Sequence, residues 1–147
     1  MTIYNNELYV GNASSSSIYV IPPTSTGAVT ATRSISNSTF LNSPYGLGVI
    51  NGELFVSSAN TSSMEAYDPQ FSSTFPYRRI GGASTLLGAP YGFVGFGTML
   101  YTANYSTNSI QVFRLTADGD VAPITTITGA ATKLSGSIGI AIIGVDE

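Results

Sequence analysis

The stretch Ser43–Val56, "SPYGLGVINGELFV", is followed after 46 residues by Ala89–Thr102, "APYGFVGFGTMLYT". Each copy opens with a Pro-Tyr-Gly turn and continues as a Gly-spaced apolar run. A short break and a second apolar run follow. A fixed interval of this size marks a repeat architecture, in which each unit buries its hydrophobic face only against its neighbours. Working outward, Leu8, Leu54 and Leu100 open "LYVGN", "LFVSS" and "LYTAN" at the same spacing of 46. Ser17, Ser63 and Ser109 open "SIYVI", "SMEAY" and "SIQVF" in step with them. A further element reads "AVTATRSIS", "TFPYRRIGG" and "VAPITTITG" with one-residue slips, and the Pro-Tyr-Gly element returns a third time as "SGSIGIAII".

Each element has four to eight residues of β-branched and aromatic types bounded by Gly, Pro, Ser or Asn, which reads as strand. No window carries the 3.6-residue apolar period of a helix. Four strands per unit of about 46 residues predicts an all-β chain, a β-propeller of three four-stranded blades, with repeats over 5–50, 51–96 and 97–143 in a single domain. A β-solenoid is the competing architecture, but its coils are usually shorter and more regular.

The third unit, "ANYSTNSIQVFRLTADGDVAPITTITGAATKLSGSIGIAII" (Ala103–Ile143), resembles NHL-like propeller repeats nearly along its length. The first two units resemble them at the strands and at the "PYG" turns, without the "VAPI" wording. The resemblance implies that the Pro-Tyr-Gly element is the innermost strand, lining a central channel, and that the "TTITG" element is outermost. It implies nothing specific about activity, because propellers serve as scaffolds, binders and enzymes alike.

Three blades fall short of the four to eight that close a ring. The expectation is therefore self-association, either a two-fold pairing into six blades or a polymer. "MTIY" aligns with Leu47–Ile50 as a stub of inner strand. The segment Ser137–Ile143 is then an inner strand in want of partners, and could lie beside Leu8–Asn12 of a second copy.

Composition narrows the functions. The 147 residues are 43% hydrophobic but only 9% charged, with 37 Ser and Thr supplying the polarity. Such a neutral, wet surface suits an extracellular or particle-surface protein. Five basic residues and a net charge of −3 leave no basic stripe for nucleic acid. No apolar run is long enough for membrane insertion, and the N-terminus lacks the basic and apolar segments of a signal peptide. Without Cys or His the commonest nucleophile, general base and metal ligands are missing. No catalytic motif is present and no cofactor is expected.

The candidate sites are accordingly surfaces. Phe71, Phe75, Tyr77, Arg78 and Arg79 form the most aromatic and basic outer strand, a candidate partner or oligomer contact. Tyr45 and Tyr91, with Asn12 and Asn104 at matching strand ends, are candidates to face a ligand such as a glycan. Their structural alternatives are packing between blades for Tyr and turn hydrogen bonds for Asn. Asp118-Gly119-Asp120 offers two carboxylates to calcium, though turn chemistry explains them as well. Glu7 and Glu53 occupy equivalent tight turns and are expected to be solvated. Four Asn-x-Ser/Thr sequons, at Asn12, Asn37, Asn60 and Asn104, exceed chance only slightly in so Ser/Thr-rich a chain. The function expected is a non-catalytic assembly or interaction module, with a glycan-binding lectin as the alternative.

Overall fold

The computed structural model describes residues 1–143. Twelve strands are found among them: β1 Thr2–Tyr4, β2 Glu7–Asn12, β3 Ser17–Ile21, β4 Arg33–Ser36, β5 Pro44–Ile50, β6 Glu53–Ser58, β7 Ser63–Tyr67, β8 Arg78–Gly81, β9 Pro90–Phe96, β10 Met99–Asn104, β11 Ser109–Arg114 and β12 Thr125–Ile127. They form three four-stranded sheets, each an antiparallel meander in chain order. The chain is thus all-β. The repeat extends to the register: Asn12 pairs with Ser17, Ser58 with Ser63, and Asn104 with Ser109.

The first hairpin of each sheet closes through the turn its residues prescribe. Asn5–Asn6 and Asn51–Gly52 have positive φ at both positions (48° and 59°, 52° and 81°), the type I′ geometry that matches strand twist. In the third sheet Gly97, at φ 58°, takes the first place of a two-residue turn, as type II′ requires.

The sheets stack face to face, because alternate strand residues point to opposite faces. Tyr9, Ile18, Val20 and Ile35 of the first sheet meet Leu54, Val56 and Tyr67 of the second, with Leu41 of the connecting segment between them. From the second sheet's other face, Phe55, Met64, Ala66 and Ile80 meet Leu100 and Phe113 of the third, joined by Leu87 and Leu115. The middle sheet is therefore covered on both sides, and all five residues of β7 are buried. In β2, only Tyr9 is.

First strands approach one another, β1 against β5 and β5 against β9. The approach is closest at Gly46, where a Cβ would lie 2.4 Å from the carbonyl oxygen of Tyr91. Ser57 bridges the two strands there, its Oγ accepting from Gly46 N (2.8 Å) and donating to Tyr91 O (2.6 Å).

The sheets span 2–36, 44–81 and 90–127, so the sequence units 5–50 and 51–96 each end on a strand that belongs to the following sheet. Two expectations are corrected. Ser137–Ile143 forms no strand. It runs past β9, where a Cβ on Gly92 would lie 2.8 Å from Ile138 O and 2.9 Å from Gly139 Cα. It follows the course of an inner strand, but no second strand lies beside it among the described residues to supply a ladder. Finally, the fourth strands are shorter than their sequence windows. Phe71 and Phe75 precede β8 in an irregular segment, where Asp68 accepts from Gln70 N and the positive φ of Phe71 (55°) bends the chain.

Substituting Gly46→Ala forces backbone against backbone and is expected to lower stability by about 2 kcal/mol. Gly139, with nothing within 4 Å of its Cβ position and no positive φ, should accept Ala without loss. Urea denaturation of the two variants beside the parent checks the contrast.

Candidate functional site

The aromatic and basic group at Phe71–Arg79 does not form one free patch. Phe71 packs edge-on against Tyr9 of the first sheet, centroids 6.1 Å apart. Phe75, though 61% exposed, stands edge-on to Phe40 at 5.9 Å. Arg78 donates both terminal nitrogens to Glu53 (2.9 and 2.5 Å) and lies over the Phe55 ring. Arg79 pairs with the carboxylate of Glu65, Nε to Oε1 3.4 Å. Only Tyr77 remains outward without such a contact, so most of this group holds neighbouring sheets of the same chain together.

Glu7 and Glu53 are not simply solvated. Arg33 grips Glu7 through two bonds of 2.7 Å, as Arg78 grips Glu53. The second nitrogen of each arginine also reaches the next sheet: Arg33 Nη2 to Pro69 O at 3.4 Å, Arg78 Nη2 to Leu115 O at 3.1 Å. Pro69 and Leu115 are 46 residues apart, so this latch repeats. Bidentate pairing is why Arg serves here and Lys would not. It holds the Glu7 carboxyl below its ordinary value, the Arg33 hydrogen bonds contributing most. In the third sheet Met99 and Thr125 stand at the corresponding positions, where the strand register pairs Val112 with Thr125 as it pairs Val20 with Arg33 and Ala66 with Arg78, so this sheet carries no such pair.

The Asn positions belong to a polar cluster that recurs on one face of every sheet. In the third sheet Asn104 is fully buried, donating to Thr102 O and Gln111 Oε1 and accepting from Gly88 N. Gln111 in turn donates to Leu86 O and accepts from Ser109 Oγ. In the second sheet Ser58, Ser63 and Glu65 replace them, with both hydroxyls donating to the buried carboxylate. In the first sheet the counterparts are Asn12, Ser17 and Tyr19. There the face lies open, Asn12 is exposed, and a cleft of about 590 Å³ is lined by Val10, Asn12, Tyr19, Ile21, Val29 and Ser34 among others. Asn104 is thus structural and Asn12 is the solvent-exposed copy.

Tyr45 of β5 and Tyr91 of β9 pack against each other between neighbouring sheets. Their rings stack at 4.2 Å with 26° between planes, and Tyr105 extends the row at 5.2 Å from Tyr91. Tyr45 and Tyr105 are each about half exposed. Tyr105 was not singled out in the sequence, although it follows Asn104 directly in "TANYS".

Asp118 and Asp120 act as turn acceptors. Asp118 accepts from Arg79 N and Asp120 from Ser84 N, while Gly119 bridges to Ile80 in parallel fashion. The loop thereby clamps the second sheet. Among the described residues no group of three His, Cys, Asp or Glu is placed to hold a metal, and no helix is long and apolar enough to cross a membrane.

No family model matches the sequence, and no curated relative does. Solved structures match the fold. The computationally designed Ika8 protein aligns with a TM-score of 0.67 and 9% identity, over 97% of this chain and 39% of its own. A hydrazine synthase of Kuenenia stuttgartiensis aligns at 0.65 and 18%, over 91% and 35%. A functionally unknown protein of Desulfotomaculum acetoxidans DSM 771 aligns at 0.66 and 18%, over 96% and 44%. The chain spans less than half the length of each. At such identities the likeness defines a class of all-β repeat fold and carries no activity across.

Glu65 is the most perturbed acid in a site. Burial raises it from 4.5 to about 7, against the lowering effect of Ser63, Ser58 and Arg79. The folded chain therefore keeps this proton to higher pH than the unfolded chain does. Its contribution is complete below pH 4.5 and is lost as pH rises through 7, by roughly 3 kcal/mol at most. Urea unfolding at pH 5 and pH 8 should show that loss in the parent, and Glu65→Gln should flatten it.

Proposed function

We propose that the chain is a non-catalytic assembly module: three blades of an NHL-like β-propeller, completed by association with further blades, with two chains forming a six-bladed ring. The observation that carries this reading is the asymmetry of burial. The middle sheet is covered on both faces, while each outer sheet is covered on one and offers the other. Convergence of the first strands around Gly46 is the geometry that radial blades need, since strands near a central axis must lie closest. The sequence repeat of 46 residues and the NHL-like wording of the third unit support this reading. Low charge and Ser/Thr richness favour a place on a secreted structure, fibre or particle surface, where association is not opposed by net charge. Sedimentation or light scattering is expected to give twice the 15.3 kDa chain mass, and electron microscopy a ring of six lobes. A single-chain mass at every concentration up to about 100 μM would sink the reading.

A second reading, glycan binding, is favoured by the Tyr45–Tyr91–Tyr105 row. A half-exposed row of amphipathic rings offers apolar faces beside hydroxyl donors, which is what a sugar's two chemistries require. On this reading a glycan array probed with multimerised protein gives sugar-selective signal that Tyr45→Ala abolishes. An array with no signal for the parent protein removes it.

A further inference from the structure

Three connections lead from the fourth strand of one sheet toward the next first strand, and all three carry a leucine at corresponding places: Leu41, Leu87 and Leu134. The second and third are built alike. Gly82 and Gly129 (φ 136° and 105°) precede the short 3-10 turns Ala83–Thr85 and Ala130–Thr132. Thr85 and Thr132 each donate to that glycine's carbonyl at 2.7 Å and accept from the N–H of the leucine two residues on. Leu86 and Lys133 then turn left-handed at φ 57° and 56°. The leucine so presented is a plug. Leu41 is fully buried with Leu54, Val56 and Tyr67, and Leu87 is buried with Leu100 and Phe113. Leu134 belongs to neither core and is only half-buried.

At the other end of the chain lies a face with the matching socket. Leu8, Val10 and Ile21 hold the positions of Leu54, Val56 and Tyr67 in the repeat, yet they are only half-buried, and Val10 and Ile21 line the open cleft. The backbone beside them is also incomplete. β6 is paired by β5 as far as Ser58, and β10 by β9 as far as Asn104, but β1 pairs β2 only over Glu7–Tyr9. The edge of Val10–Asn12 has no strand beside it among the described residues. The segment that follows the plug, Ser137–Ile143, is extended and apolar, with Ile138 65% and Ile143 93% exposed.

We infer that Leu134 of one copy seats in the first-sheet cleft of a second copy, against Val10 and Ile21, and that Ser137–Ile143 pairs along Val10–Asn12 of that copy. This rests on the assembly reading above and specifies its join. The occupant is a second copy because the leucine and the apolar segment after it recur from both joins already made within the chain, and the turn before it recurs from the second. Neutral Thr125 stands where the arginine latch stands in the other sheets, so this third join lacks the ion pair of the first two, and the exposed Ile124 beside it adds apolar surface. The interface is head-to-tail, so plug and socket lie on different surfaces of each copy.

The chain has no cysteine, which permits a selective test on the full chain. Single variants Val10→Cys and Leu134→Cys are prepared, mixed in equal amounts and oxidised mildly. The expected result is a disulfide-linked dimer in the mixture and far less in either variant alone. Leu134→Asp is expected to weaken association at least about 30-fold by sedimentation, with unchanged far-UV circular dichroism. Crosslinking of each single variant with itself as efficiently as the mixture would overturn the head-to-tail join. So would an associated parent whose mass Leu134→Asp leaves unchanged, and in that case the assembly reading survives. A parent that stays a single chain removes both.

Discussion

The contact on which the rest of the structure depends is the approach of β5 to β9 at Gly46. Two backbones come so near there that no side chain fits between them, and the hydroxyl of Ser57 satisfies one amide and one carbonyl that the approach would leave unpaired. A buried amide or carbonyl without a partner costs on the order of 1–3 kcal/mol, so the contact needs both the glycine and the serine. Once the first strands are this close, the twist of each sheet carries the later strands apart, and the widening gap must be filled. Leu41 and Leu87 fill it at one end, the aromatic pair Tyr9 and Phe71 elsewhere, and the arginine latches close it beside the turns.

The latches and polar clusters divide the work that charge usually does on a surface. With so few ionisable residues, the chain spends Arg33, Arg78 and Arg79 on carboxylates of its own sheets. Bidentate geometry and a carbonyl of the next sheet make these pairs more than exposed ion pairs, whose contribution is small. Glu65 is the costly member, a carboxyl with no exposure, where the third sheet has the neutral Gln111. Both side chains can bridge a strand-end hydroxyl to its neighbours. Only the glutamate couples that bridge to protonation.

Much of the fold was legible because a repeat states it three times. Strand positions and hairpin turns follow from spacing and from the demands of positive φ, which a single sequence displays directly, while the inner place of "PYGLGVI" is what the NHL-like resemblance implies. What stayed hidden depends on which groups meet across sheets. Glu7 in "NNEL" reads as a solvated turn acid, since nothing local announces Arg33 in a strand 26 residues later. Phe71–Arg79 reads as a surface patch, because its partners Tyr9, Phe40, Glu53 and Glu65 lie on other elements. The polar clusters were within reach: "SIYVI", "SMEAY" and "SIQVF" put Tyr19, Glu65 and Gln111 at one repeat position, on the same face as Ser17, Ser63 and Ser109. Alternation along a strand flanked by buried runs predicts that this face is covered.

The repeat also explains why the outer sheets depart from it. A residue kept in the middle sheet answers to two neighbours, whereas one in the first or third answers to only one within the chain. Glu7 and Arg33 are retained because the first sheet must latch onto the second. Met99 and Thr125 stand there in the third sheet, beside the exposed Ile124, where no further carbonyl among the described residues is in place to receive an arginine, and a buried pair without that third partner stabilises little against its desolvation. Apolar residues at that edge are worth keeping only against another apolar surface, because exposed they favour indiscriminate association. The same holds for the open face of the first sheet, where Val10 and Ile21 have not been replaced by the polar residues that cap the terminal units of solenoids. The outer faces of the first and third sheets thus carry apolar residues of the kind that the middle sheet buries.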